Sequence, residues 1–267
     1  MSPTWFDTHC HLHDESSPYE VVKDAVENRV TRMVVVGTDL TSSVRVCEIV
    51  SDIRTKALKD QINLDGIWAA VGVHPHEAKG GIGELPGFVR KTTSDETGLI
   101  VAIGECGLDY YYEHSPKNAQ KDVFSSQIRL AQESGLALVI HTRDAWEDTF
   151  ATLDYEGIPE KTVIHCFTGG VDELLECEKR GIYVSFSGIA SFPKASELHK
   201  AVKVAKDKRF LIETDSPYLA PVPFRGKPNF PKYVASVGLA VANLRGVSED
   251  DLAHVATMAA IDFFDVN

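Results

Sequence analysis

No apolar run in this 267-residue chain approaches the roughly 18 residues that a membrane span requires. The opening residues, Met1-Ser2-Pro3-Thr4-Trp5-Phe6, lack both the basic start and the apolar stretch of a secretory leader, so secretion is not expected. Cysteine is sparse. Five residues, an odd number without regular spacing, make no disulfide framework and read as the reduced thiols of a cytoplasmic protein. Positive charge is also short: 27 Lys and Arg stand against 39 Asp and Glu, a formal charge of −12. That balance argues against a broad basic face gripping nucleic acid, so any polyanionic substrate must be held locally, by metals and a few cationic side chains. No linker, low-complexity tract or charge block divides the chain. A single domain over residues 1–267, acting as a monomer, is the expectation, and its 43% hydrophobic content supplies a sizeable core.

What is present is a regular alternation. Short β-branched runs fall at 4–8, 32–36, 67–73, 99–103, 137–141, 162–165, 182–186 and 210–214. Several, such as Met33-Val34-Val35-Val36, are apolar on both faces, as strands of a buried parallel sheet must be. Helical patterns fall between them, near 18–29, 42–58, 83–92, 119–134, 145–155, 172–180 and 195–205, with a final pair near 232–244 and 248–264. Gly135, Gly157 and Gly181 stand where helices should stop, and Ser248 with Asp251 forms a start close to a capping box. Eight βα repeats in this length predict an α/β fold of the TIM (β/α)8 barrel type. A doubly wound open sheet is the competing architecture, but it ordinarily places a glycine-rich phosphate loop after its first strand. Here that place reads His9-Cys10-His11-Leu12-His13.

The barrel reading gives the polar residues a common address, because active sites of this fold lie at the C-terminal ends of the strands. His9 and His11 follow the first strand and, two apart in extended chain, share a face about 7 Å apart. Glu105 follows the fourth strand, His141 ends the fifth, His165 ends the sixth and Asp215 follows the eighth. Six such donors exceed one tetrahedral ion and suit two metals with a shared ligand. Glu105 is the natural bridge, since each carboxylate oxygen can bind one ion. Asp215 is placed both to ligate and to accept the proton of an attacking water. His74, at the end of the third strand, is a candidate for hydrogen bonding substrate, and Pro75 should aim His76 elsewhere. Glu213 and Asp7 share the inward parity of Asp215 and His9 and could orient ligands or equally make buried structural hydrogen bonds. Cys10, Cys106 and Cys166 should face the packing side by alternation. Arg143 lies just past His141, and Arg225 sits in the proline-stiffened loop 220–229, placed to fork onto a phosphate or carboxylate.

These motifs, Asp-Thr-His-Cys-His-Leu, Gly-Glu-Cys-Gly-Leu-Asp-Tyr-Tyr, His-Thr-Arg-Asp-Ala, His-Cys-Phe-Thr-Gly and Glu-Thr-Asp-Ser-Pro-Tyr-Leu-Ala-Pro, occur in the order and spacing of the TatD family of metal-dependent DNases. The chain closely resembles that family from Asp7 to about Phe264, within the wider amidohydrolase-like superfamily. The resemblance implies His9, His11 and Asp215 on one divalent cation, His141 and His165 on a second, and Glu105 on both. It implies His74 and Arg225 at the scissile phosphate, and a 3′ to 5′ exonuclease acting on single-stranded DNA or DNA ends. The cations could be Mg, Mn or Zn; imidazole favours the transition metals and magnesium prefers oxygen. Phe230, where relatives often carry a polar or acidic residue, and Thr257-Met258-Ala259-Ala260, without the family's usual asparagine, depart from the pattern away from the metal ligands. Two other activities fit the same barrel: an amidohydrolase or deaminase, and a deacylase of mischarged aminoacyl-tRNA. Many amidohydrolases bridge their metals with a carbamylated lysine after the fourth strand; no lysine occurs between Lys91 and Lys117. A non-catalytic metal-stabilised scaffold is the reading outside enzymes.

Overall fold

The computed structural model describes residues 4–94 and 97–266, so the reading of Met1–Pro3 lies outside the described residues. Eight parallel strands run in sequence order around one sheet: β1 (Trp5–Cys10), β2 (Val30–Val36), β3 (Gly66–Val71), β4 (Ile100–Asp109), β5 (Ala137–Arg143), β6 (Thr162–Ile164), β7 (Tyr183–Phe186) and β8 (Phe210–Ile212). Helices α1 (Pro18–Glu27), α2 (Leu40–Asp60), α3 (Leu85–Thr93), α4 (Lys117–Ser134), α5 (Trp146–Glu156), α6 (Val171–Lys179), α7 (Ser196–Val204) and α8 (Val234–Arg245) alternate with the strands, and α9 (Glu249–Phe264) closes the chain. The helices cover the outer face of the sheet and the barrel interior buries the inner one, which is why the strands are apolar on both sides.

The two faces form two cores. Phe6, Val34, Val36, Trp68, Ala70, Val139, Val163 and Leu211 point into the barrel, whose lower end is plugged by Phe263 and Phe264 of α9. Met33, Val35, Ile67, Ala69, Ile140 and Val184 point outward against the helices. Cys10 and Cys106 join this outer layer, as alternation predicts.

Register shifts interrupt strict alternation at four places, and two of them bear on the site. On β1, Asp7 pairs with Met33 but Cys10 with Val35, so one extra residue is taken up between them. That bulge turns Thr8 and His9 inward together and leaves Asp7 on the opposite parity from His9, contrary to the expectation for Asp7. On β4, Ile103 pairs with Leu138 and Cys106 with Ile140, again one residue in excess, and Glu105 is turned in. β4 then resumes pairing as far as Asp109, so Glu105 lies within the strand and not after it. The close approach of β5 requires glycine on either side of Glu105. Gly104 and Gly107 have φ of +150° and +128°, and a Cβ would fall 2.6 Å from the Val139 carbonyl oxygen and 2.0 Å from that of His141.

The barrel closes at its rim through the residues of interest themselves. The Asp215 N–H donates to the His9 carbonyl (2.9 Å) and the His11 N–H to the Ser216 carbonyl (2.7 Å). Asp7 completes the seam, accepting from the Thr214 N–H (2.8 Å) and hydroxyl (2.5 Å). It pins β1 to the end of β8 and touches no ligand ring.

Candidate metal centre

All six expected ligands converge inside this rim. His9 Nε2 lies 3.3 Å from His11 Nε2 and 3.4 Å from Glu105 Oε2. Asp215 Oδ1 lies 3.5 Å from His11 Nε2 and 3.9 Å from His9 Nε2. The other oxygen, Glu105 Oε1, lies 2.8 Å from His165 Nε2, 3.2 Å from His141 Nδ1 and 3.4 Å from His74 Nε2. The two oxygens of one buried carboxylate thus face two separate sets of donors. His9, His11 and Asp215 form one close group, and His9, Glu105 and His165 another.

Hydrogen-bond partners decide which imidazole nitrogen carries its proton, and so what each ring offers the centre. His11 Nδ1 lies 3.0 Å from the Val36 carbonyl, which can only accept; the proton is on Nδ1 and the Nε2 lone pair faces inward. His165 Nδ1 donates to Glu213 Oε1 (3.2 Å), with the same outcome. His141 is reversed: Nε2 donates to Asp109 Oδ2 (3.2 Å), leaving the Nδ1 lone pair towards Glu105. His74 is the opposite case. Its Nδ1 accepts the His76 backbone N–H (3.1 Å), so Nε2 bears the proton and points a donor at Glu105. Although His74, Glu105 and His141 lie close enough to surround an ion, neutral His74 has no lone pair to give there. Burial lowers it to about 4, against the pull of Glu105.

Electrostatics make the centre a place for cations. Glu105, Glu213 and Asp109 are at most 4% exposed, and among the described residues no lysine or arginine bonds to them or to Asp215. Burial works to raise the Glu105 carboxyl, but His165 and His74 outweigh it and hold the group well below its usual range. Asp215 is likewise lowered against burial, by the His11 ring when that ring carries a proton on Nε2 as well, and by the charges of His165 and His9. Glu105 and Glu213 raise His165 well above an ordinary imidazole despite burial, whereas burial and the neighbouring His165 lower His9. Uncompensated buried carboxylates cost several kcal/mol each. The inward lone pairs, the Nε2 atoms of His9 and His11 at 3.3 Å, and His9 Nδ1, buried without a partner, fit divalent cations better than any protonation pattern of the side chains alone.

Other expectations are met unevenly. Glu213 does meet a ligand, through His165, and also takes the Cys166 N–H at 2.7 Å. His76 does not aim away: its Nε2 lies 3.0 Å from Asp109 Oδ2. Cys166 leaves the packing side because its φ is +44°, and its thiol rests 3.3 Å from the Ser187 hydroxyl. Arg225 is exposed, its guanidinium 4.1 Å over the Phe192 ring, and makes no bond to the cluster. Asp109 is the residue the sequence reading passed over. It lies four positions after Glu105 on one strand, hence on the same face, and that parity was its signal. Burial raises its carboxyl, but hydrogen bonds from His141, the Tyr112 N–H and His76 hold it below the ordinary range.

An eight-stranded parallel barrel with inward imidazole lone pairs and carboxylates gathered at its C-terminal rim suits a metal-dependent hydrolase. The sequence matches the family described as TatD related DNase over residues 6–265, and the chain belongs to that family. It is 39% identical over 266 residues to the uncharacterized metal-dependent hydrolase YabD of Bacillus subtilis, covering 98% of this chain and 99% of that one. It is 35% identical over 260 residues to the uncharacterized metal-dependent hydrolase YcfH of Escherichia coli, covering 94% and 92%. Among solved structures, the TatD homologue YJJV of Escherichia coli superimposes with a TM-score of 0.84 at 23% identity, covering 98% of each chain. A TatD family hydrolase of Entamoeba histolytica gives 0.82 at 20% identity, again covering 98% of each.

Proposed function

We propose that this hydrolase cleaves phosphodiester bonds of DNA, as a 3′ to 5′ exonuclease on single strands, using two divalent cations (Mg, Mn or Zn) that share Glu105. The observation that carries the reading is the division of Glu105: Oε2 faces His9 and His11, and Oε1 faces His141 and His165. His9, His11 and Asp215 would hold one cation, His141 and His165 the other. Cations bound there would lower the pKa of water from about 15.7 towards 7 and offset the charge of the phosphate. Asp215, whose carboxyl is held below its ordinary range, would take the proton of the attacking water at its carboxylate. His74 keeps Nε2–H pointed at the centre and donates it to a non-bridging phosphate oxygen. Arg225, stacked on Phe192 with no carboxylate partner among the described residues, has its fork free for the same phosphate. The five free thiols suit a reducing cytoplasm as its place of work.

The same atoms could open the ester of an aminoacyl-tRNA, so substrate is decided by assay. Metal analysis of the purified protein should find close to two divalent ions per chain, and single-stranded DNA should be hydrolysed in preference to aminoacyl-tRNA or a neutral cyclic amide. Arg225→Ala should lower kcat/KM on DNA by about 10–1000-fold, by analogy with removal of one preorganised donor, with both cations retained. A chain that deacylates aminoacyl-tRNA and leaves DNA intact refutes the reading.

A further inference from the structure

We propose that Tyr111 and Tyr112, braced by Arg143, form a stacking platform for an unpaired nucleobase next to the scissile phosphate. The proposal rests on the DNA phosphodiesterase reading above and deepens it by naming what the enzyme grips beyond the phosphate.

Both tyrosines lie just past the end of β4, after Tyr110, and are 58% and 51% exposed. Aromatic rings left this far in water are ordinarily loose, but these are held. The N–H groups of Tyr111 and Tyr112 both donate to Asp109 Oδ1, at 3.0 and 2.9 Å. The other oxygen of that carboxylate holds His141 and His76. One buried aspartate therefore fixes the backbone of the aromatic pair and the orientation of a metal-facing imidazole together. From the neighbouring strand, Arg143 lies opposite Asp109 in register. Its guanidinium stands 4.1 Å from the Tyr111 ring centre and 4.7 Å from that of Tyr112. The two rings are perpendicular at 4.8 Å, and Tyr112 lies parallel to His114 at 5.6 Å.

Arg143 is exposed and has no carboxylate partner among the described residues, so this is a cationic aromatic surface beside the centre. Such a surface suits a base, which stacks on the ring while its backbone phosphate meets the guanidinium. It also answers how an acidic protein binds a polyanion without a basic face. A base within a duplex already stacks on both sides, so the platform selects single strands or frayed ends.

The test compares a single-stranded oligonucleotide with a matched one carrying abasic nucleotides on either side of the cleaved bond. Wild-type protein should cleave the intact strand with kcat/KM about 5–150-fold above the abasic one, the range that stacking of one base supplies. The Tyr111→Ala/Tyr112→Ala variant should lose a similar factor on the intact strand and cease to distinguish the two. Tyr111→Phe/Tyr112→Phe, which keeps the rings, should stay within about threefold of wild type. A wild-type enzyme indifferent to the missing bases, or a double alanine variant that still distinguishes them, overturns the platform while leaving DNA cleavage standing. Should the double alanine variant not fold, the wild-type comparison and the phenylalanine variant decide the matter. Absence of DNA cleavage by the wild type, with aminoacyl-tRNA deacylated, overturns the DNA reading and the platform with it.

Discussion

Asp109→Asn is the most informative perturbation of the centre, because it alters one atom's chemistry at almost constant volume. Oδ1 of the native side chain takes two backbone N–H groups and would survive as the amide oxygen. The amide nitrogen then replaces the acceptor now facing His141 Nε2 at 3.2 Å and His76 Nε2 at 3.0 Å. Two donors cannot face each other, so His141 must give up its Nε2 proton. Neutral imidazole then carries the proton on Nδ1, the atom now 3.2 Å from Glu105, and the ring turns from a ligand into a donor. Loss of such an outer partner costs about 10–100-fold in metal affinity, or about 1.4–2.7 kcal/mol. The loss should fall on the cation proposed for Glu105, His141 and His165, and spare the one proposed for His9, His11 and Asp215. Calorimetric titration of metal-free protein with Mn or Zn resolves the two steps. His76→Ala serves as the control: it removes the other ring from Asp109, leaves the His141 bond in place, and should shift affinity by less than about threefold. If Asp109→Asn binds both equivalents as the native protein does, the tautomer argument is wrong and His141 is oriented by something else.

Three further outcomes follow from the same geometry. Glu105→Ala should empty both positions and abolish hydrolysis, whereas His9→Ala should deplete one ion more than the other; elemental analysis after gel filtration separates the two, and a fully active Glu105→Ala refutes a shared bridge. His74 should remain a neutral Nε2–H imidazole at pH 5.5 in nitrogen-15 spectra of labelled protein. Its folded value of about 4 lies below the roughly 6.5 of an unfolded histidine, so the unfolded chain takes up the proton first and this ring withdraws stability as pH falls from about 6.5 towards 4; an imidazolium at pH 5.5 contradicts the assignment. Chelation should lower Tm by about 5–10 °C, since a ligand at 100 times its Kd adds about 2.7 kcal/mol and a domain of this size shifts by about 2–4 °C per kcal/mol; an unchanged Tm in excess chelator, with metals shown to be gone, refutes a cation-completed charge balance.

The sequence alone determined the architecture and the cast of the site. Eight β-branched runs separated by helical patterns specify a parallel α/β sheet, and their number, with His9-Cys10-His11 standing where an open sheet would carry its glycine-rich loop, favours the closed barrel. Once the barrel is accepted, His9, His11, Glu105, His141, His165 and Asp215 fall at one rim, since that placement follows from position along a strand. Strand periodicity is local, and local rules are legible in a string of letters. The tertiary structure decided what each of those residues offers. Extra residues on β1 and β4 reversed the alternation, so that His9 faces in where Asp7 does not, and Glu105 faces in between two glycines that β5 crowds. The protons of His11, His141 and His165 were assigned by partners 25, 32 and 48 residues away, at Val36, Asp109 and Glu213. That of His74 was assigned by a backbone turn that brings His76 against it. Asp109, His76 and the Tyr111–Tyr112–Arg143 surface acquired their meaning only when β4, β5 and the loop after β3 came together. A hydrogen bond is specified by two partners in space, and the second partner is set by the register between strands, which periodicity along a single strand does not contain.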